Sequence, residues 1–228
     1  VAHSPPEAEL DARVRAEVAA VFVATGAAPT ALELAVRFSV DAGAIDASLR
    51  RLAARRSLEL RAGDGPATIV TAYPFSAAPT PFWVEHARGG HWAPCAWCAL
   101  GVAALVGGAA RILTRAGLEA APLTLTVDGS AVTPVESAVH FAVPAAEWGA
   151  DMGWACRTIT AFARAEDVDP WCARHRIPRG EVLPLAQAHA LAHAFFSDGL
   201  RPEAHQRRRR DVEAIFASVG LSGPFWSL

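Results

Sequence analysis

HWAPCAWCALGVAALVGG, residues 91–108, sets two of the chain's four cysteines, Cys95 and Cys98, at the mouth of a run of small apolar residues. The run over residues 96–110 is uncharged until Arg111 and contains three glycines, Gly101, Gly107 and Gly108. It is too short to span a bilayer, which takes about 20 apolar residues, and it reads as a buried helix. A helix starting at Ala99 places Cys98 at its N-terminus, where free backbone N–H groups and the macrodipole favour a thiolate. A cysteine there is a better nucleophile and soft-metal ligand than one in mid-core. The spacing of the pair leaves three chemistries open: a redox dithiol, half of a metal site, or a nucleophile with a neighbour.

The first two are weakly supported by the rest of the chain. A thioredoxin-type dithiol sits in a βαβ unit, an order that the surrounding segments lack. A structural zinc needs two more ligands at short spacing, and Cys156 and Cys172 lie too far apart in sequence to form a knuckle. His189 and His193 in HALAH share a helix face but lack the intervening Glu of a zinc-protease motif.

Composition narrows the class. Hydrophobic residues are 52% and charged residues 19% of 228, which is the balance of a folded globular protein. A net charge of −2 gives no general attraction to nucleic acid or to a membrane surface. The opening VAHSPPEAEL lacks the basic-then-apolar pattern of a secretory leader. Four cysteines are too few for a disulfide scaffold of this length, so reduced thiols and a cytoplasmic setting are expected.

Outward from the cysteines, residues 6–25 carry Leu10, Val14, Val18, Val21 and Phe22 at helical spacing, and Gly26 and Pro29 end the pattern. Two more helical patterns occupy residues 30–56, separated by a turn at 41–43, and Thr30 with Glu33 fits a capping box. LELRAGDGPATIV, residues 58–70, reads as a hairpin turning at GDG. Helix, turn, helix and hairpin outline a winged helix. Arg50, Arg51, Arg55 and Arg56 on its second helix are what a DNA reader would use, but a solvated helix face is the plainer reading and no nucleic-acid partner is expected.

Residues 71–85, rich in proline and aromatics, read as an extended, packed connector. Strand patterns follow at 81–86, 110–115, 122–129 and 136–144, and helical patterns at 184–199 and 211–219. The expected architecture is α+β: a winged-helix-like region over residues 1–72, then a mixed domain over 73–228 with an antiparallel sheet and flanking helices.

Four segments in order, YPFS (73–76), WCAL (97–100), ACRTITAFAR (155–164) and EVLPLAQAHALAHAFF (181–196), resemble the organomercurial (alkylmercury) lyases over roughly residues 30–200. The resemblance implies protonolysis of a carbon–mercury bond, giving a hydrocarbon and Hg(II), with no cofactor and with excess cellular thiols for product release. It further implies an organomercurial substrate, small thiols and a mercuric reductase as partners, no membrane, and a winged-helix-like front end not used to read DNA. The family's two cysteines fall on Cys98 and Cys156, which would also hold mercury as substrate and product. Its aspartate, three residues after the first cysteine, falls on Gly101.

That departure bears on the chemistry. Soft mercury prefers thiolates, but the carbon it leaves must still receive a proton, which is general-acid work worth about 10²–10⁴ in rate. Asp151, Glu147 and His91 are candidate replacements, and Cys95 is a further one, either as proton carrier or as third thiol. The alternative is a non-catalytic mercury or soft-metal binding and transfer protein on the same scaffold; a winged-helix regulator with a sensing domain is a third. Trp92, Trp97 and Trp154 flank the cysteines as candidate walls of an apolar pocket, Tyr73 is expected to pack first and line substrate second, and Cys172 is read as structural.

Overall fold

The computed structural model describes residues 6–228, apart from the side chains of 205 and 206. The first five residues, part of the stretch VAHSPPEAEL that lacks a leader pattern, lie outside the described residues. Three helices open the chain: α1 (Glu7–Thr25), α2 (Ala31–Phe38) and α3 (Ala42–Ala54). The capping box is formed, with the Thr30 hydroxyl accepting from the Glu33 N–H at 3.2 Å and the Glu33 carboxylate accepting from the Thr30 N–H at 2.7 Å. Leu10, Val14, Val18 and Phe22 of α1 are buried in one core with Leu34, Ile45 and Leu49. Arg51 departs from the expectation of a solvated arginine face. It donates to the buried Asp11 carboxylate at 2.7 Å, beside the Ser48 hydroxyl at 2.7 Å, and so ties α3 to α1.

An eight-stranded sheet follows, made of β1 (Glu59–Leu60), β2 (Ile69–Ala72), β3 (Phe75–Ser76), β4 (Phe82–His86), β5 (Gly89–Ala93), β6 (Ala110–Arg115), β7 (Pro122–Asp128) and β8 (Ala131–Thr133). Its spatial order is β1-β2-β3-β5-β4-β6-β7-β8, antiparallel at every pairing. The connector predicted over 71–85 is thus part of this sheet, and β2 of the front hairpin pairs directly with β3. β7 alternates strictly, with Leu123, Leu125 and Val127 turned inward, as a sheet wet on one face requires. A second, three-stranded antiparallel sheet places β9 (Ala138–Phe141) between β10 (Thr160–Phe162) and β11 (Glu181–Pro184).

The helix quoted at the outset, α4 (Ala96–Val106), is apolar all round because it is covered all round, by the large sheet on one side and by α7 (Leu185–Phe196) on the other. It stops at Val106 rather than running to residue 110, since Gly107 and Gly108 take φ of +67° and +72°. α5 (Met152–Arg157), α6 (Val168–His175) and α8 (Arg209–Ser218) complete an α+β fold. No helix among the described residues is long and apolar enough to cross a membrane.

His91 on β5 belongs to the core. It is 4% exposed, stacks on His86 at 4.9 Å and meets Phe75 edge-on at 5.4 Å, and neither ring nitrogen has a hydrogen-bond partner. Burial first, then the neighbouring His86 and Arg88, lowers its pKa to about 4. A histidine held neutral in this way stabilises the fold above its unfolded value near 6.5, and that contribution is lost as pH falls toward 4. Chemical denaturation of His91→Phe should show a pH 7 to pH 4 stability loss smaller than the parent's by up to about 3 kcal/mol. Identical pH profiles would refute this account of His91.

Candidate active site

β5 delivers the chain to Cys95, which is the N-cap of α4 in extended conformation, its sulfur accepting the Cys98 N–H at 3.3 Å. The helix begins three residues earlier than the sequence suggests, so the terminal position predicted for Cys98 belongs to Cys95. Cys98 is the third helical residue, pointing from the first turn. The Ala96 N–H bonds the Ile159 carbonyl at 3.2 Å, pinning the start of α4 to the segment that follows α5. α5 opens on Asp151, whose carboxylate caps the Trp154 N–H at 2.8 Å, and its single long turn carries Cys156 inward.

These two tethers make three distant sulfurs converge. Cys98 Sγ and Cys156 Sγ are 3.7 Å apart, and the sulfurs of Cys95, Cys98 and Cys156 all lie within 4.8 Å of one another. All three are buried and none is in a disulfide. Their acidities are divided. Burial opposes charge on Cys95, but the Cys156 and Cys98 thiols and the N–H groups of Cys98 and Trp97 outweigh it and hold Cys95 well below the usual thiol range. Cys98 is pushed up by burial and by the sulfurs beside it, and Cys156 is pushed up first by Cys95. Of the three sulfurs, Cys95 is thus the one on which negative charge is most favoured.

The sulfurs of Cys98 and Cys156 open on a cavity of about 260 Å³ walled by Trp97, Leu105, Trp148, Met152, Phe195 and Phe196. Of the three tryptophans expected there, only Trp97 contributes. Trp92 packs against Trp83 at 4.6 Å within the sheet, and Trp154 is 49% exposed. Tyr73 does line the cavity, and its hydroxyl donates to Glu59 at 2.8 Å. Burial first, then the neighbouring Cys156 and the hydrogen-bonded Glu59, pushes its phenol up, so it stays protonated.

Asp151, Glu147 and His91, the expected stand-ins for an acid at position 101, belong neither to the sulfur cluster nor to the cavity lining. Asp151 is exposed and occupied as a cap, Glu147 is exposed on a short 3₁₀ turn, and His91 is enclosed elsewhere. The described residues lining the cavity include no carboxylate and no histidine. Cys172 sits apart in a small cluster with Phe162, Val168 and Trp171, its sulfur 3.7 Å from His140 Nε2. His189 is buried while His193 is exposed. Sequence patterns gave no notice of Arg15, Glu59, Trp148 or Phe195 near the sulfurs. The one usable signal was the aromatic pair in HAFF, four residues past HALA on the same helix.

Gly101 faces α7 so closely that an added Cβ would lie 2.4 Å from the Phe196 ring. The space an acidic side chain would need is filled by that aromatic.

A buried cluster of three thiols, two of them opening on an apolar cavity, on an α+β scaffold, suits a soft, thiophilic metal. The alkylmercury lyase family model matches residues 75–197, a span that holds all three sulfurs, Gly101 and Phe196, and the chain belongs to that family. It is 31% identical over 118 residues to an alkylmercury lyase of Pseudomonas putida, a match covering 47% of this chain and 54% of the relative. The chain thus matches about half the length of that curated relative. In fold it is similar to the crystal structure of the mercury-bound form of MerB2, with a TM-score of 0.66 and 20% identity over 84% of this chain and 98% of that one.

Gly101→Asp should therefore overpack the α4–α7 contact and cost about 1–3 kcal/mol in chemical unfolding. The cost should shrink in a Phe196→Leu background, since the two residues share the space. An Asp at 101 tolerated without loss, with Phe196 intact, would contradict this account of the glycine.

Proposed function

We propose that this chain cleaves the carbon–mercury bond of organomercurials by protonolysis, with Cys98 and Cys156 taking the mercury and Cys95 moving the protons. The observation that carries the reading is the joint burial of three sulfurs within 4.8 Å of one another, two of them, Cys98 and Cys156, lining an aromatic cavity. Membership of the family supports it, as does a fold shared with MerB2, which has been crystallised with mercury bound.

In a thiol-rich cytoplasm the substrate arrives as an alkyl- or arylmercury thiolate. Cys95, acting as the thiolate of the trio, takes the proton of Cys98 as that sulfur attacks mercury, and passes it to the departing small thiol. Cys95 then takes the proton of Cys156 as the second sulfur binds, and hands it to carbon as the carbon–mercury bond breaks. One hydrocarbon and one small thiol leave, mercury stays on two thiolates, and Cys95 ends as it began. The atoms and charges balance with no cofactor and no carboxylate. Two thiolates raise electron density on mercury and weaken its bond to carbon, and the aromatic walls keep water from the reacting groups. Excess small thiols, or a mercuric reductase acting as acceptor, then remove Hg(II).

Benzene release from phenylmercury in excess thiol, followed by gas chromatography, tests the scheme. Cys98→Ser and Cys156→Ser should abolish release. Cys95→Ser should slow it by about 10²–10⁴ while stoichiometric mercury uptake persists. A wild-type chain that takes up phenylmercury and yields no benzene would sink the enzyme reading and leave a soft-metal binding protein, the reading that Gly101 favours.

A further inference from the structure

The same cavity holds a cation with an unfilled hydrogen-bond site. Arg15, on α1, is 4% exposed and lines the cavity with Cys98 and Cys156. Its Nε donates to the Ser57 carbonyl at 3.2 Å and its Nη2 to the Tyr73 carbonyl, but Nη1 is buried with no acceptor. No described carboxylate pairs with it. Burial lowers its pKa only to about 10, so it is charged at neutral pH. Trp97 Nε1, on the same cavity, is a second buried donor with no acceptor.

The lining is one-sided. Two further guanidinium groups, Arg56 and Arg207, border the cavity, and no described Asp or Glu does. Arg207 is already served by the Phe195 carbonyl at 2.6 Å and by Asp198, which leaves Arg15 as the buried cation with no described carboxylate partner. Buried charges in folded proteins are otherwise paired, so an unpaired one beside a ligand cavity marks where a ligand's charge belongs. An empty space of about 150 Å³ suffices for a benzene ring, so about 260 Å³ leaves room for a ring and a substituent. Aromatic walls suit the ring, and a guanidinium fork suits a carboxylate.

We propose that the cavity selects organomercurials whose organic group bears a carboxylate, and that Arg15 receives that carboxylate while the thiols hold mercury. The choice of substrate class rests on the lyase reading; the anion site does not.

The test for the anion site therefore uses ligands without mercury. Isothermal titration of the full chain should show benzoate binding about ten- to a hundredfold tighter than benzamide, the range expected for a charge-assisted hydrogen bond. Benzoate, and not benzamide, should slow alkylation of the cavity thiols by N-ethylmaleimide. Arg15→Gln should erase the preference and Arg15→Lys should keep part of it. Should Arg15→Gln fail to fold, the wild-type comparison and the alkylation result still decide the matter. Equal binding of the two ligands, or no binding of either, overturns the proposal.

With mercurials, Arg15→Gln should lower kcat/KM for 4-carboxyphenylmercury about tenfold or more relative to phenylmercury. An equal loss on both would instead assign Arg15 to the thiols or to the fold and overturn the substrate claim. Cleavage of phenylmercury by a protein indifferent to benzoate would leave the lyase reading intact and remove this one.

Discussion

Three free sulfurs packed together inside an apolar core constrain everything around them. A lone thiolate at that depth would be strongly disfavoured. Charge is favoured at Cys95 over its two neighbours because backbone N–H groups at the start of α4 and the neighbouring thiols point at it. The bond from Ala96 to Ile159 and the cap of Asp151 on α5 hold the arrangement, so the ends of two helices are fixed relative to each other before any metal arrives. Preorganisation of this kind lets a soft cation bind without ordering its ligands first.

The second constraint is packing between α4 and α7. Gly101 allows Phe196 to lie against the helix backbone, and Phe196 closes one wall of the cavity. An acidic side chain and that ring cannot occupy the same volume. Gly101 therefore accompanies an aromatic wall at this point, and the proposed reaction routes its protons through sulfur. A dry pocket also strengthens every remaining electrostatic interaction within it, including that of the unpaired guanidinium of Arg15 with whatever anion enters.

Much of the fold was legible. Capping at Thr30, the period of α1 and the alternation of β7 are local patterns, and local patterns are visible in a single sequence. The segments that escaped were short or buried on both faces. β5, GGHWA, looks like a turn because of its paired glycines, of which Gly90 instead lies against the Trp83 ring, and β10, TAF, is buried throughout and has no alternation to display. The first turn of α4 was misplaced for a similar reason: nothing in PCAWCAL distinguishes a cysteine N-cap from the strand before it.

The sequence by itself determined the helix-and-sheet content, the grouping of Cys95 with Cys98, and, through four short segments, the kinship that brought Cys156 to notice. Only the tertiary structure decided that a third sulfur, 58 positions beyond Cys98, closes the cluster at 3.7 Å. It also decided that Asp151, Glu147 and His91 stand elsewhere, and that an arginine from the first helix reaches the cavity. Periodicity reports which face of an element is buried; it carries no information on which buried faces meet, and the chemistry of this site lies in that meeting.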